Sequence, residues 1–260
     1  MITEKDKVEI REYCKELKLG AVAGNFEQFA QDAEDYQGYL LSLLRAQIDE
    51  KGKAAIEARI RAAGFPYRKY IEDLDLECMP EGIRKKLPHL LTLDFIREGR
   101  NVIFTGNPGT GKTHTAIGLG IKACEAGYKV LFTTIPYLVT ELKESNNKQK
   151  LTAYERRFRK YDLVIADELG YVSFDREGAD LLFNNLSQRV GLKSTIITSN
   201  LSFEEWDHVF GGPAITGAMV DRLTFGAMLV DMQGDSYRLR ETLRINGLDE
   251  SYVIGGVKNA

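Results

Sequence analysis

One octapeptide restricts this chain more than any other feature. Gly106-Asn107-Pro108-Gly109-Thr110-Gly111-Lys112-Thr113 fits the pattern GxxxxGK[ST] and stands between an apolar run and a helical pattern, the setting that the pattern's mechanism requires. Glycines there let backbone N–H groups curl around phosphate oxygens, and the helix that follows presents its positive N-terminal end. Lys112 would reach the β- and γ-phosphates as a point charge. Thr113 would give its hydroxyl oxygen to Mg²⁺, a cation that prefers hard oxygen ligands.

The texture around the octapeptide agrees. Short apolar runs at 101–105, 129–134, 162–166, 194–199 and 228–232 alternate with helical stretches at 113–126, 136–144, 153–160 and 177–190, with Gly127 and Gly191 as helix stops. The connections are long enough for parallel crossovers. The expected fold class is α/β, a parallel five-stranded sheet with helices on both faces. Ahead of it, up to about residue 63, the chain reads as helices, with Tyr36, Tyr39, Leu40, Leu43, Leu44 and Ile48 at spacings of three and four making one apolar stripe. Gly64-Phe65-Pro66 ends that pattern and places a junction between 64 and about 75. The expected domains are a helical N-terminal module, residues 1–70, and an α/β domain, residues 71–260.

Leu163-Val164-Ile165-Ala166-Asp167-Glu168 is an apolar strand ending in two acids, and at the carboxyl edge of a parallel sheet these face the ligand crevice. Asp167 would hold Mg²⁺ through its waters, and Glu168 would polarise a water for in-line attack on the γ-phosphate. The next strand brings Asn200 to the same edge, as a turn former or as an amide that orients that water.

Net charge is only −3, from 35 Lys and Arg against 38 Asp and Glu, and taken alone it favours a small-molecule enzyme. Cys14, Cys78 and Cys124 form no CxxC pair, and His89, His114 and His208 are too dispersed for a histidine-rich metal site. No run approaches the ~20 apolar residues that a membrane span needs. The expectation is a soluble, cytoplasmic protein with no membrane partner.

In order along the chain, GNPGTGKTH (106–114), IADELGY (165–171), TSNLSFEEW (198–206), Asp221-Arg222-Leu223 and SYRLR (236–240) resemble the IstB-like proteins, ATP-binding helpers encoded by insertion sequences. That family belongs to the AAA+ ATPases and is close to the DnaC-type helicase loaders. The resemblance spans roughly residues 25 to 245. It departs from the family pattern at Asn107, where proline is usual. It implies ATP and Mg²⁺ as cofactors, with the nucleotide held by residues 106–114, His114 included. By motif, Lys112 and Thr113 are the Walker A pair, Asp167 and Glu168 the Walker B pair, and Asn200 the sensor-1 residue. Arg222 becomes an arginine finger reaching a neighbouring subunit's ATP, and Arg238 the sensor-2 residue, on a strand with Arg240 as the weaker alternative.

A function on DNA needs basic surfaces that the net charge conceals. Residues 51–70 carry Lys51, Lys53, Arg59, Arg61, Arg68 and Lys69 against Glu57, and residues 148–160 carry Lys148, Lys150, Arg156, Arg157, Arg159 and Lys160 against Glu155. Arg84-Lys85-Lys86 adds a third cluster. Such blocks suit backbone phosphates rather than base edges. The resemblance thus implies an ATPase that forms homo-oligomers on double-stranded DNA, with ATP at subunit interfaces, and presents the target to the transposase of the same element. A helicase loader shares the ATPase residues. A monomeric P-loop kinase would need neither Arg222 in trans nor the basic blocks.

Overall fold

The computed structural model describes residues 2–248, so residues 249–260 of the expected α/β domain lie outside the described residues. The chain packs as two compact units that divide between Ala58 and Arg59. The first is helical: α1 (Glu4–Glu16), α2 (Gly20–Asp32) and most of α3 (Tyr36–Ala63). Thr3 starts α1 through a reciprocal cap, its hydroxyl accepting the Asp6 N–H while its own N–H donates to the Asp6 carboxylate at 2.8 Å. Glu50 of α3 accepts the Ala21 N–H at 2.7 Å and so ties α3 to the first turn of α2.

The apolar stripe of α3 is only partly buried. Leu43 is buried together with Gln47, whereas Tyr36, Leu40, Leu44 and Ile48 are exposed. Positions 36, 40, 44 and 48 advance one turn at a time along a line beside the buried one, so equal spacing puts them on a different face. The packing division falls inside α3. Gly64, at φ +77°, follows the helix's last residue and marks where the helix stops.

The second unit contains α4 (Glu81–Leu91), α5 (Asp94–Arg97), β1 (Val102–Thr105), α6 (Lys112–Glu125), β2 (Val130–Thr134), α7 (Ile135–Asn147), α8 (Leu151–Phe158), β3 (Leu163–Leu169), α9 (Arg176–Ser187), β4 (Ser194–Ser199), α10 (Asp207–Phe210), α11 (Pro213–Thr224), β5 (Met228–Asp231) and α12 (Tyr237–Ile245). The strands lie in the order β2-β3-β4-β1-β5, every neighbouring pair parallel, so all five carboxyl ends share one edge. Helices cover both faces. Ile103, Val164, Ala166 and Ile197 share a buried cluster with Leu138 of α7 and Leu182 of α9. Ile165 faces α6 instead, where a Cβ on Gly120 would come within 2.7 Å of its Cδ1.

Two expectations change. Residues 237–240 are helical, not a strand: the Ser236 hydroxyl accepts the Leu239 N–H at 3.3 Å and opens α12 as an N-cap. β3 continues past Ala166 to Leu169, but its register against β4 shifts between Ala166 and Leu169.

Arg189, only 1% exposed, joins the end of α8 to the start of β4. It donates to the carbonyls of Phe158 (3.1 Å), Tyr161 (3.1 Å) and Ser194 (2.9 Å) and to the Thr195 hydroxyl (3.3 Å). Its guanidinium lies 5.3 Å above the Phe158 ring, and burial pushes its pKa down to about 10.

Candidate functional site

The octapeptide leaves β1 and enters α6 through three glycines with positive φ: Gly106 (+140°), Gly109 (+82°) and Gly111 (+92°). At two of them the space also demands glycine. A Cβ on Gly106 would sit 2.4 Å from the Met232 carbonyl, and one on Gly109 would sit 2.1 Å from the Ser236 hydroxyl. The loop between β5 and α12 therefore buttresses the phosphate loop. The Tyr237 N–H donates to the Gly109 carbonyl at 3.0 Å, and the Asn107 amide donates to the Gly234 carbonyl at 3.2 Å. Asn107 thus braces the loop from outside.

Lys112 is buried, and its ammonium donates to the carbonyls of Gly106 and Asn107, both at 2.6 Å. Burial pushes its pKa down to about 8, against the pull of Asp167. His114 pairs its Nε2 with the Tyr70 carbonyl at 2.9 Å, which joins α6 to the segment ahead of α4.

At the end of β3, Asp167 is 3% exposed and accepts hydrogen bonds from the Thr113 hydroxyl (3.0 and 3.2 Å to its two oxygens) and from the Thr198 hydroxyl. Burial raises its pKa in spite of those donors. Glu168 has φ +67°, a left-handed conformation that residues with a Cβ seldom adopt, and its N–H donates to the Thr198 hydroxyl at 3.0 Å. Partial burial, and then the neighbouring Asp167, raise its pKa. Asn200 follows β4 with its Oδ1 buried and without a hydrogen-bond partner among the described residues.

The phosphate loop and the strand ends border a cavity of about 360 Å³ lined by residues 108–114, Glu168, Tyr171, Thr198, Asn200 and Arg238, and Asp167 stands behind that lining, bonded to Thr113. Another wall comes from the segment between α3 and α4, including Tyr67, Lys69, Leu74, Cys78 and Met79. That wall carries no motif, and the distance along the chain hid it from sequence reasoning. Thr198 left a usable signal, since it stands two residues before Asn200 and alternate strand residues share a face. Gly106 and Asn107 hold the loop's shape without lining the cavity.

The donor set fits Mg²⁺. The Thr113 hydroxyl gives its proton to Asp167, which leaves its lone pairs free for a cation. The oxygens such an ion would take are the Asp167 carboxylate, the Thr113 hydroxyl and substrate phosphates.

Other expected residues lie elsewhere. Arg222 is exposed on α11 and does not line the cavity. Lys51, Lys53 and Arg61 are exposed on α3, whereas Arg59 is half-buried with its Nε bonded to the Cys124 carbonyl at 2.7 Å. In the second block Lys148 pairs with Glu144 at 2.9 Å, Arg159 with Glu155 at 3.6 Å, and Arg157 lies 5.1 Å above the Tyr154 ring. Lys150, Arg156 and Lys160 are exposed. Among the described residues no helix is long and apolar enough to cross a membrane.

Comparison with known proteins adds an independent finding. Residues 12–244 match the family described as IstB-like ATP binding protein. The chain is 38% identical to the ATP-binding protein of insertion sequence IS5376 from Geobacillus stearothermophilus, over 90% of this chain and 95% of that one. It is 34% identical to the IS21 counterpart from Pseudomonas aeruginosa, over 83% of this chain and 81% of the other. Among solved structures, DnaI superposes with a TM-score of 0.55 at 21% identity, covering 64% of this chain and 91% of DnaI. DnaA bound to AMPPCP and single-stranded DNA superposes with a TM-score of 0.51 at 21% identity, covering 71% of this chain and 60% of DnaA. At such identity these two establish a shared fold.

Proposed function

We infer the function from one premise: the chain belongs to the IstB-like ATP-binding protein family. On that basis it is an ATP-dependent, DNA-binding AAA+ ATPase that forms homo-oligomers on double-stranded DNA, with ATP between subunits. It acts as a transposition helper, presenting target DNA to the element's transposase and stimulating it. The observation that carries this reading is the meeting of the phosphate loop, Glu168, Thr198 and Asn200 around one cavity in a chain of insertion-sequence type.

Each residue then has a chemical task. Backbone N–H groups of the loop and the Lys112 ammonium hold the phosphates, and Arg238 approaches the γ-phosphate from the same subunit. Thr113 and Asp167 would hold Mg²⁺, which when bound would supply positive charge against the phosphates. Glu168 polarises a water oriented by Asn200 for attack on the γ-phosphorus. Arg222 of a neighbouring copy steadies the charge that develops on the phosphoryl group, a contribution of up to ~10³–10⁵ in rate. Hydrolysis then dissolves the assembly. The exposed bases of α8 and α3 support binding to DNA phosphates.

The test is ATPase activity against protein concentration, with and without duplex DNA. Activity that rises more than linearly and is stimulated by DNA is expected, and Glu168→Gln retains nucleotide and traps the DNA complex. Constant specific activity in a monomer indifferent to DNA would overturn the reading in favour of a small-molecule kinase. The insertion-sequence relatives favour the helper over a helicase loader, and stimulation of the cognate transposase in a strand-transfer assay separates those two.

A further inference from the structure

β3 and β4 pair in regular parallel register from Leu163↔Ser194 to Ala166↔Ile197, and pairing resumes at Leu169↔Ser199. Between those points Asp167 and Glu168 on β3 face Thr198 alone on β4. Two residues opposite one is a bulge, a device that re-aims side chains beside functional sites. In an unbroken strand consecutive side chains leave on opposite faces. Here Asp167 bonds to Thr113, which lines the cavity, and Glu168 lines the same cavity. The left-handed φ of Glu168 belongs to this bulge.

Thr198 meets both members of the bulge. Its hydroxyl has one proton and two lone pairs. The Glu168 N–H can only donate, so a hydroxyl lone pair turns toward Glu168 and the one hydroxyl proton goes to the Asp167 carboxyl oxygen. The Glu168 amide thereby recovers the partner that the register shift removes. β-Branching restricts the Thr198 side-chain rotation and keeps the oxygen in place.

We propose that Thr198 is the positioning residue for Glu168: its hydroxyl, braced on Asp167, holds the bulge that aims the Glu168 carboxylate into the cavity. The proposal rests on the reading of Glu168 as the group that polarises water.

The experiment uses the full chain and two variants, Thr198→Val, which removes the hydroxyl at nearly constant volume, and Thr198→Ser, which keeps it. Amide hydrogen exchange is followed at Glu168 without nucleotide, beside ATP affinity and kcat. In Thr198→Val the Glu168 amide exchanges faster by about tenfold, while the amides of 164–166 stay protected. The same variant loses kcat by up to about 100-fold, the scale of a small misplacement, with ATP affinity little changed, and Thr198→Ser restores both properties. Unchanged Glu168 exchange, parallel loss of ATP affinity and kcat, or a serine variant that behaves like valine would each overturn the proposal. If valine unprotects residues 164–166, Thr198→Cys takes its place, since a thiol is a weak donor and acceptor. Its losses should be smaller but of the same two kinds, and wild-type values would overturn the proposal. The exchange arm reads out even if the wild-type chain hydrolyses no ATP, so failure of the functional reading is distinguishable from failure of this one.

Discussion

The Thr113 hydroxyl donates to the Asp167 carboxylate at 3.0 Å, joining the first turn of α6 to the end of β3. One side chain comes from the phosphate loop and the other from the acidic strand, and under the proposed function Mg²⁺ would draw on both. Asp167→Asn should weaken Mg²⁺-dependent ATP binding by ~10–100-fold, the usual scale for groups that act on a metal through an intermediate ligand. Binding of ATP in excess chelator should change little. Titration of a fluorescent ATP analogue with and without Mg²⁺ checks this, and equal losses in both would count against the assignment.

Lys112 gives a pH signature. Its pKa is about 8 in the structure, and phosphate oxygens favour its charged form, so nucleotide raises that value. Below pH 8 the ammonium is already charged and affinity is flat. Above it, binding must take up a proton, and affinity falls by up to about tenfold per pH unit. Calorimetry at about pH 9 in buffers of different ionisation heat should register that uptake, and Lys112→Ala should abolish it.

Gly170 has φ +111°, and a Cβ there would come within 2.7 Å of the Asn200 Oδ1 and of the Leu201 side chain. Gly170→Ala should therefore displace Asn200 and reduce hydrolysis by about 100-fold while ATP still binds. Single-turnover kinetics beside equilibrium binding separate the two effects.

Arg189 is placed to be a stability determinant. Arg189→Met leaves the carbonyls of Phe158, Tyr161 and Ser194 without this donor, at ~1 kcal/mol or more each, so a loss of at least ~3 kcal/mol is expected in urea unfolding. Arg189→Lys should recover only part, because one ammonium cannot reproduce the planar fork.

The basic block at α8 predicts a change in salt dependence. Alanine at Lys150, Arg156 and Lys160, all exposed, should flatten the slope of log K against log salt for duplex DNA by about 0.9 for each phosphate that the variant no longer neutralises. An unchanged slope would remove this surface from the DNA interface.

What the sequence disclosed follows from the range of the forces involved. The five strands and the phosphate loop were legible because runs such as Leu163–Ala166 and the glycines of 106–111 encode their conformation locally. α12 was misread because Tyr237 and Leu239 alternate with arginines like a strand, while the Ser236 cap and the docking of Tyr237 on Gly109 decide for helix. The bulge at Glu168 has no local signature, since it depends on what β4 places opposite. Arg189 carries no local signal of its burial, because two of its carbonyl partners, Phe158 and Tyr161, lie about thirty residues away. The exposed line of α3 shows the reverse limit: spacing finds an apolar face but not what lies against it.

The parallel sheet also has a quiet end. The phosphate loop and the acids sit where the strands finish, and ahead of β2 the chain turns through Gly127, exposed at φ +96° with open space beside its Cα. Insertions succeed at such loop tips. A fluorophore or affinity handle grafted at Gly127 would leave the phosphate loop and the acids untouched, offering a place from which to watch the working protein.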